Sequence, residues 1–330
     1  MAGLTYSLIV PVYRNEGSIG ELVETVLRLD DALDGALEVV FVVDGSPDRS
    51  AELLDAALSH AEVKAQLILL SRNFGSFAAI RTGLAAAHGR YFATMAADLQ
   101  EPESLILEFF RALEHEPIDL ALGVRTGRSD PWASRIGAGL FWNLYRWFVQ
   151  PQVPRGGVDV FACNVAVRDQ LVRLEESNSS LVGQVIWLGF RRKLVPYARL
   201  PRRHGRSAWT LSRKLRYLVD SVYAFSDLPI RVLTWAGAVG LLASIVLAAA
   251  VLVAKMRGDI PIPGYAATVL TIIFFAALNA FGLGIIGGYT WRAFENTKRR
   301  PQAIVLANKT FEPIRDRAGQ QDLQRGERLA

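Results

Sequence analysis

Two acidic loops in the first third of the chain hold residue types suited to nucleotide and metal chemistry. In MAADLQEP (Met95–Pro102), Asp98 and Gln100 are two residues apart, so they face the same side of an extended backbone. Their oxygens are of the kind that bind Mg²⁺ or Mn²⁺ together with diphosphate oxygens. Asp98 also stands where it would cap a helix beginning near Pro102, so the motif has a structural explanation as well.

The second loop, FVVDGSPDRS (Phe41–Ser50), places Asp44 directly after an apolar run and before a Gly-Ser turn. Asp44 is positioned to accept hydrogen bonds from the ribose or the base of a nucleotide. An Asx-turn that joins a strand to a helix would use the same residue, and the sequence leaves both interpretations open.

Two further loops carry polar residues directly after apolar runs. In PVYRNE (Pro11–Glu16), Glu16 would either reach a ribose hydroxyl or simply lie near the start of a helix. In SRNFG (Ser71–Gly75), Arg72 and Asn73 precede a glycine that enters a helix, a place where contact with a base or a diphosphate is expected.

The four loops need elements that bring them together. Short apolar runs alternate with amphipathic segments in this part of the chain, which predicts an α/β domain with a parallel sheet covered on both faces. Ligands of such sheets bind beyond the carboxyl ends of the strands, where both acidic loops would lie. The predicted strands are Tyr6–Val12, Leu37–Val43, Gln66–Leu70, Tyr91–Met95 and Asp119–Gly123, and the predicted helices are Ser18–Leu29, Ser50–Ser59, Phe77–His88 and Pro102–His115.

The second half of the chain is typical of a membrane-attached protein. Thr210–Phe225 repeats apolar residues at alternating steps of four and three behind a basic start, which favours a helix on the membrane surface. Val232–Ala254 and Ala266–Trp291 carry no charge, and each is long enough to cross a bilayer. Basic residues are denser on the outer flanks than in the connecting hairpin, which predicts a multi-pass protein of the inner (cytoplasmic) membrane with both termini cytoplasmic.

Two smaller expectations complete this organisation. Trp132–Val149 predicts another helix, either in the core or in the headgroup zone, and the tail after Arg300 carries mixed charge and is expected to be partly disordered. The predicted divisions are a cytoplasmic catalytic domain over 1–209, an interfacial helix over 210–230, two transmembrane helices within 231–291 (about 232–254 and 266–291) and a cytoplasmic tail over 292–330.

Composition narrows the class of function. Apolar residues make up 51% of the 330 residues and charged residues 21%, which is too apolar for a disordered chain and too charged for a polytopic transporter. The net charge of +5 suits anionic lipid or phosphate-bearing substrates. Nothing resembles a nucleic-acid recognition motif. Cys163 is the single cysteine, so an intrachain disulfide is excluded.

Taken together, the four loops resemble the family-2 glycosyltransferases of the GT-A fold, a Rossmann-like domain with a mainly parallel sheet. From Pro11 to about Pro301 the chain resembles the polyprenyl-phosphate glycosyltransferases of that family, which include dolichol-phosphate mannose synthase and bacterial undecaprenyl-phosphate glucosyltransferases. The further motifs that carry this resemblance are GGVDVF (Gly156–Phe161), LEESNSSLVG (Leu174–Gly183), WLGFRRKLVPY (Trp187–Tyr197), RRHGRSAW (Arg202–Trp209), FSDLPIR (Phe225–Arg231) and GIIGGYTWRAFENTKRRP (Gly284–Pro301).

The resemblance implies roles for individual residues, with Asp98 and Asp159 at the centre of the chemistry. Arg72 and Asn73 join the donor side through their place after the third predicted strand. The resemblance assigns nucleotide contact to Pro11, Tyr13, Glu16 and Asp44, and it assigns metal and diphosphate binding to Asp98 and Gln100. It places Asp159 near the acceptor phosphate. It also implies a basic loop that holds phosphate and contains Arg202 and Ser207.

The chain departs from the family pattern at four positions. Ala96 stands where an Asp usually precedes the metal-binding acid, and Val43 stands where an Asp or Asn usually precedes Asp44. Val182 and Ala208 replace a usual arginine and a usual lysine. The losses include one carboxylate of the metal site and two cations, and replacement cations would have to come from Arg203, His204 or Arg206.

The implied reaction is the inverting transfer of a sugar from a nucleotide sugar, UDP-glucose by default, to undecaprenyl or another polyprenyl phosphate, with Mg²⁺ or Mn²⁺. It would serve the synthesis of cell-surface glycans, and the resemblance implies a homo-oligomer such as a tetramer.

Two alternative functions stay open here. Ala96 and Val182 are compatible with a weakened sugar-nucleotide-binding scaffold in the membrane, and a processive polysaccharide synthase would normally show QxxRW where this chain has Gln184–Trp187.

Overall fold

The computed structural model describes residues 4–126, 146, 152, 154, 158–176, 179–203, 211–257 and 264–313. Ser207, and all of the predicted helix over Trp132–Val149 except Arg146, lie outside these ranges.

Eight strands form one mixed sheet. They are β1 (Tyr6–Val12), β2 (Leu37–Val43), β3 (Lys64–Leu70), β4 (Tyr91–Thr94), β5 (Leu120–Arg125), β6 (Phe161–Asn164), β7 (Arg192–Tyr197) and β8 (Val305–Phe311). Their order across the sheet is β7-β5-β6-β4-β1-β2-β3-β8. The β1 to β4 group pairs in parallel, as does β5 with β7, whereas β6 and β8 run antiparallel to their neighbours. The five predicted strands are confirmed to within a few residues.

Helices cover both faces of the sheet, because their apolar residues recur at helical spacing and need a surface to bury against. One face packs under α1 (Ile19–Ala32), α2 (Ser50–Leu58) and α4 (Glu103–His115), and the other under α3 (Ser76–Ala86), α5 (Val165–Arg173) and α6 (Leu181–Trp187). The predicted helices are also confirmed, with ends that differ by at most three residues.

The predicted interfacial helix appears as α7 (Leu211–Phe225), but its apolar stripe has a different neighbour from the one expected. Leu218, Val222 and Phe225 pack against the apolar cluster under α3, α5 and α6. In this structure these side chains contribute to the catalytic domain, so α7 joins that domain to the segments that follow it.

The tail contains regular structure that the sequence did not predict. β8 lies within the predicted tail over 292–330 and pairs antiparallel with β3, for example Leu67 opposite Lys309. Its side chains are exposed except for Phe311, so the strand carries no buried apolar run. Backbone pairing with an otherwise open sheet edge explains why it forms.

Two long helices, α8 (Leu228–Arg257) and α9 (Tyr265–Thr297), follow α7 and present large apolar side chains to the outside, including Trp235, Leu242, Phe281 and Leu283. Among the described residues, one helical segment, Phe274–Thr297, is long and apolar enough to cross a membrane. A second candidate is a pair of helices, Tyr217–Phe225 and Leu228–Ala243, bent by 75°.

Candidate active site

The topology brings the predicted site residues to one edge of the sheet. β2, β4, β5 and β7 all end there, which places Asp44, Asp98, Arg125 and Tyr197 at or just beyond this edge. β6 runs the other way and begins at the same edge, so Asp159, two residues before it, joins the group. This edge is where ligands of α/β sheets bind.

Asp98 lies in the turn after β4, with its side chain about 10% exposed. One carboxylate oxygen lies 2.6 Å from the Nη2 atom of Arg202, and the other lies 3.4 Å from the backbone nitrogen of Gln100. Leu99 adopts a left-handed backbone with φ of 55°, a conformation that is uncommon for a residue with a side chain. The sharp turn places Asp98 just beyond the end of β4.

Gln100 is buried, and its side chain and backbone form hydrogen bonds with the segment after β7. Its carboxamide oxygen accepts from Arg199 and, at 3.2 Å, from Arg202. Its amide nitrogen donates to the carbonyl of Leu200 over 3.2 Å, and its own carbonyl accepts from the Leu200 amide over 2.9 Å. The oxygen expected to bind a metal therefore faces two guanidinium groups, and that role of Gln100 stays a prediction.

Glu101 is a second acid in the same loop, and sequence reasoning missed it. The side chain is buried and accepts a hydrogen bond of 3.1 Å from the Ala96 amide. Burial, with the neighbouring charge of Asp98 acting in the same direction, raises the pKa of Glu101 to about 7. The signal was its place three residues after Asp98 in MAADLQEP.

The Asp159 carboxylate contacts two side chains that are far from it in sequence. Arg125, at the end of β5, forms an ion pair with one carboxylate oxygen, and the hydroxyl of Tyr197 donates to the same oxygen over 3.1 Å. Burial raises the pKa of Tyr197, and Asp159 raises it further, so the phenol stays protonated as a donor. Burial acts to lower the pKa of Arg125, but Asp159 outweighs this and raises it.

The donor side of the edge centres on Asp44, which is only 2% exposed. Its two carboxylate oxygens accept the backbone amides of Phe74 and Gly75 at 2.7 and 2.8 Å. The Asn73 side chain donates to the Asp44 carbonyl at 3.3 Å. Burial raises the pKa of Asp44, although both amides oppose that shift. Asp44 therefore ties the loop after β2 to the loop after β3.

Close contact between these loops requires a glycine. Gly45 has φ of +56°, and a Cβ there would lie 2.2 Å from the carbonyl carbon of Arg72. The side chain of Arg72 is exposed and lies over the ring of Phe74, 4.1 Å from its centroid. Its guanidinium is thus available at the mouth of the donor side.

The loop PVYRNE (Pro11–Glu16) is hydrogen-bonded to the loop after β2. The Glu16 carboxylate accepts the Arg49 amide at 3.1 Å, and the Glu16 amide donates to Asp48 over 3.1 Å. Pro11 lies within β1 and Tyr13 directly after it, beside these contacts. The predicted nucleotide residues are therefore neighbours, but Asp44 and Glu16 already have backbone partners.

Similarity to known proteins decides the family. The family model for glycosyl transferase family 2 matches residues 7–171. A Bacillus subtilis protein, the glycosyltransferase YkcC, is 32% identical over 92% of this chain and 93% of its own length. The chain belongs to glycosyltransferase family 2. The resemblance read from the sequence is confirmed.

Two other relatives of this glycosyltransferase have names that state an activity. The bactoprenol glucosyl transferase of Shigella phage SfV is 27% identical over 92% of this chain and 98% of its own. The undecaprenyl-phosphate 4-deoxy-4-formamido-L-arabinose transferase of Edwardsiella ictaluri is 28% identical, with coverage of 93% and 96%. Because each match spans nearly the full length of both chains, the similarity includes the helices after the catalytic domain.

Metal binding by the acids of this glycosyltransferase stays a prediction. In the part of the chain that the structure describes, no group of three or more His, Cys, Asp or Glu side chains is arranged to hold an ion. Asp98 and Asp159 both bring a carboxylate to this edge, and Asp98 is the one that the sequence analysis predicts as the metal ligand. This fits Mg²⁺-type ions that use one or two carboxylates and take their other ligands from substrate phosphates and water.

Proposed function

We propose that this glycosyltransferase transfers a sugar from a nucleotide sugar to a polyprenyl phosphate at the cytoplasmic face of the membrane. The observation that carries the proposal is the joining of two parts in one chain. A sheet edge gathers Asp98, Asp159 and the donor loops, and apolar helices with exposed side chains follow it. Relatives similar over nearly the whole length are named for transfer to bactoprenol or undecaprenyl phosphate.

The acceptor chemistry requires little proton transfer. A phosphate monoester has a second pKa near 6, so its attacking oxygen is largely ionised at neutral pH. The task of the protein is then to align that oxygen with the anomeric carbon and to displace the nucleotide in line, which inverts the anomeric centre. Asp159 suits an orienting role, because Arg125 and Tyr197 fix its carboxylate.

A bound Mg²⁺ or Mn²⁺ would neutralise charge on the departing diphosphate. Asp98 is the residue that would hold it. Gln100, expected from the sequence to share this role, would instead position the basic segment after β7 through the contacts it makes there. On the donor side, Arg72 is an exposed cation suited to the nucleotide diphosphate.

The helices α7, α8 and α9 would keep this edge near the lipid headgroups. We extend the proposal to two crossings, within 232–254 and 266–291, with both termini cytoplasmic and basic residues after the second crossing at Lys298, Arg299 and Arg300. We further propose that the protein forms a homo-oligomer, such as a tetramer, and that its sugar donor is UDP-glucose. The product would be used in the synthesis of cell-surface glycans.

The test is transfer of radiolabelled sugar from a panel of sugar nucleotides to undecaprenyl phosphate in membranes. Asp98→Ala removes the single carboxylate that would hold the ion, so transfer should fall by about 100-fold or more. Asp31→Ala, a change of an exposed acid on α1, is the matched control and should leave transfer unchanged. Near-normal turnover by the Asp98 variant would overturn the metal assignment.

A further inference from the structure

The segment Arg199–Arg203, called here the basic segment, is docked onto the acidic loop. Arg199 and Arg202 bond the Gln100 carboxamide oxygen, Leu200 pairs with the Gln100 backbone, and Arg202 also contacts Asp98. The chain's own cation thus occupies an oxygen of the carboxylate that the proposed function gives to a metal ion.

A guanidinium and a divalent cation exclude each other at this oxygen. The two would compete for the same lone pairs, and their like charges would repel at the short distance a shared ligand imposes. Arg202 is the more exposed member of the pair: its side chain is 28% exposed, whereas that of Asp98 is 10% exposed and lies in a sharp turn. Release of Arg202 leaves Arg199 and Leu200 on Gln100, so the basic segment need not undock.

We infer that Arg202 is an internal competitor of the divalent cation at Asp98, and that an anionic phosphate group relieves the competition. A phosphate monoester at this edge offers Arg202 a partner other than Asp98, since arginine binds phosphate through two parallel hydrogen bonds. Each ligand then favours the other: phosphate draws Arg202 from Asp98, and the cation frees Arg202 for phosphate. Such coupling is reciprocal by thermodynamic necessity. The inference rests on the proposed function in taking Asp98 as the metal ligand.

The first experiment measures Mn²⁺ binding to the purified full-length protein in detergent, by the EPR signal of free Mn²⁺, with no sugar nucleotide present. Arg202→Gln should bind Mn²⁺ at least about fivefold more tightly than the unchanged protein, the lower end of usual coupling between sites. Arg111→Gln is the matched control. It removes the same charge from an exposed side chain on α4, outside the basic segment, so Mn²⁺ affinity should stay unchanged.

The second experiment adds inorganic phosphate, with binding of Mn²⁺ to phosphate alone measured without protein and subtracted. Phosphate should tighten Mn²⁺ binding to the unchanged protein and to the Arg111 variant by several-fold, but not to the Arg202 variant. An equal effect of phosphate on all three proteins would overturn the coupling.

The outcomes separate this inference from the proposed function. If Arg202→Gln binds Mn²⁺ no more tightly than the unchanged protein, or if neither binds it detectably, the competition is wrong while transfer to undecaprenyl phosphate still stands. If Asp98→Ala binds Mn²⁺ as well as the unchanged protein does, the metal assignment itself falls. A tighter Arg202 variant beside an Asp98 variant that has lost binding supports both.

Discussion

At the scale of single residues, Asp44 has a structural role that differs from the Asx-turn considered in the sequence analysis. Its carboxylate accepts the amides of Phe74 and Gly75 and is nearly fully buried, so it joins the loop after β2 to the loop after β3, while its contact with a nucleotide stays a prediction. A nucleotide contact through the same residue would have to share those oxygens. The geometry therefore makes Asp44 first a residue that shapes the donor loops.

Asp44→Asn tests this role. Its amide group would face a backbone N–H where a carboxylate oxygen now accepts, so one buried donor loses its partner at a cost of about 1–3 kcal/mol. Thermal unfolding without nucleotide should therefore shift down by several degrees, and affinity for a nucleoside diphosphate should fall with it. Asp31→Asn, on exposed α1 surface, controls for loss of charge. Unchanged unfolding together with lost nucleotide binding would instead favour direct contact.

The sequence predicted the residues that end or follow strands at the site, but not their partners. Asp98 is recognisable because it follows an apolar run, whereas Asp159 was identified only through the family resemblance. Arg125 and Tyr197 reach Asp159 only because β5 and β7 lie side by side, a pairing that no local pattern encodes. Glu101 was visible in the sequence, yet its burial and raised pKa depend on packing that the loop alone does not reveal.

At the scale of elements, apolar runs predicted the buried strands and the sheet edge well, and failed where pairing replaces burial. β2 is buried throughout and was predicted with its correct bounds. β8 is exposed over most of its length, so its sequence resembles a polar tail until β3 is present as a partner. The antiparallel β6 was missed because it has only four residues and runs directly into α5, so no separate apolar run marks it.

Truncation tests the contribution of β8. A chain that ends at Arg300 lacks this strand and leaves the edge of β3 unpaired, so it should unfold at a lower temperature and aggregate through that edge. A chain that ends at Pro313 keeps every described strand and serves as the control. Differential scanning fluorimetry and light scattering in detergent would compare them. Equal unfolding temperatures would show that β8 adds nothing to the stability of the sheet.

At the scale of the whole molecule, α7 is the connection between the catalytic domain and the long helices. On one side, Phe225 packs so closely over α6 that a Cβ at Gly183 would lie 2.4 Å from its ring. On the other side, Asp220 pairs with Arg292 of α9 at 2.6 Å, and Tyr223 lies 3.1 Å from the place of a Cβ at Gly288. The orientation of the sheet edge relative to α9 therefore depends on both contacts of one helix.

Gly183→Ala should loosen this connection without touching the donor loops. The added methyl group displaces the Phe225 ring, at a cost of about 1–3 kcal/mol for an overpacked contact. Transfer to undecaprenyl phosphate should then fall several-fold while the affinity for the nucleotide stays unchanged, because the loops after β2 and β3 are hydrogen-bonded to each other rather than to α6.

Combining Gly183→Ala with Phe225→Leu, which makes room for the methyl group, should restore much of the transfer. Gly20→Ala, at a helical position with nothing within 4 Å, controls for the loss of a glycine and should be neutral or slightly stabilising. A Gly183 variant that loses nucleotide affinity and transfer in equal measure would mean that α7 supports the donor side directly, and not the placement of the site against the membrane.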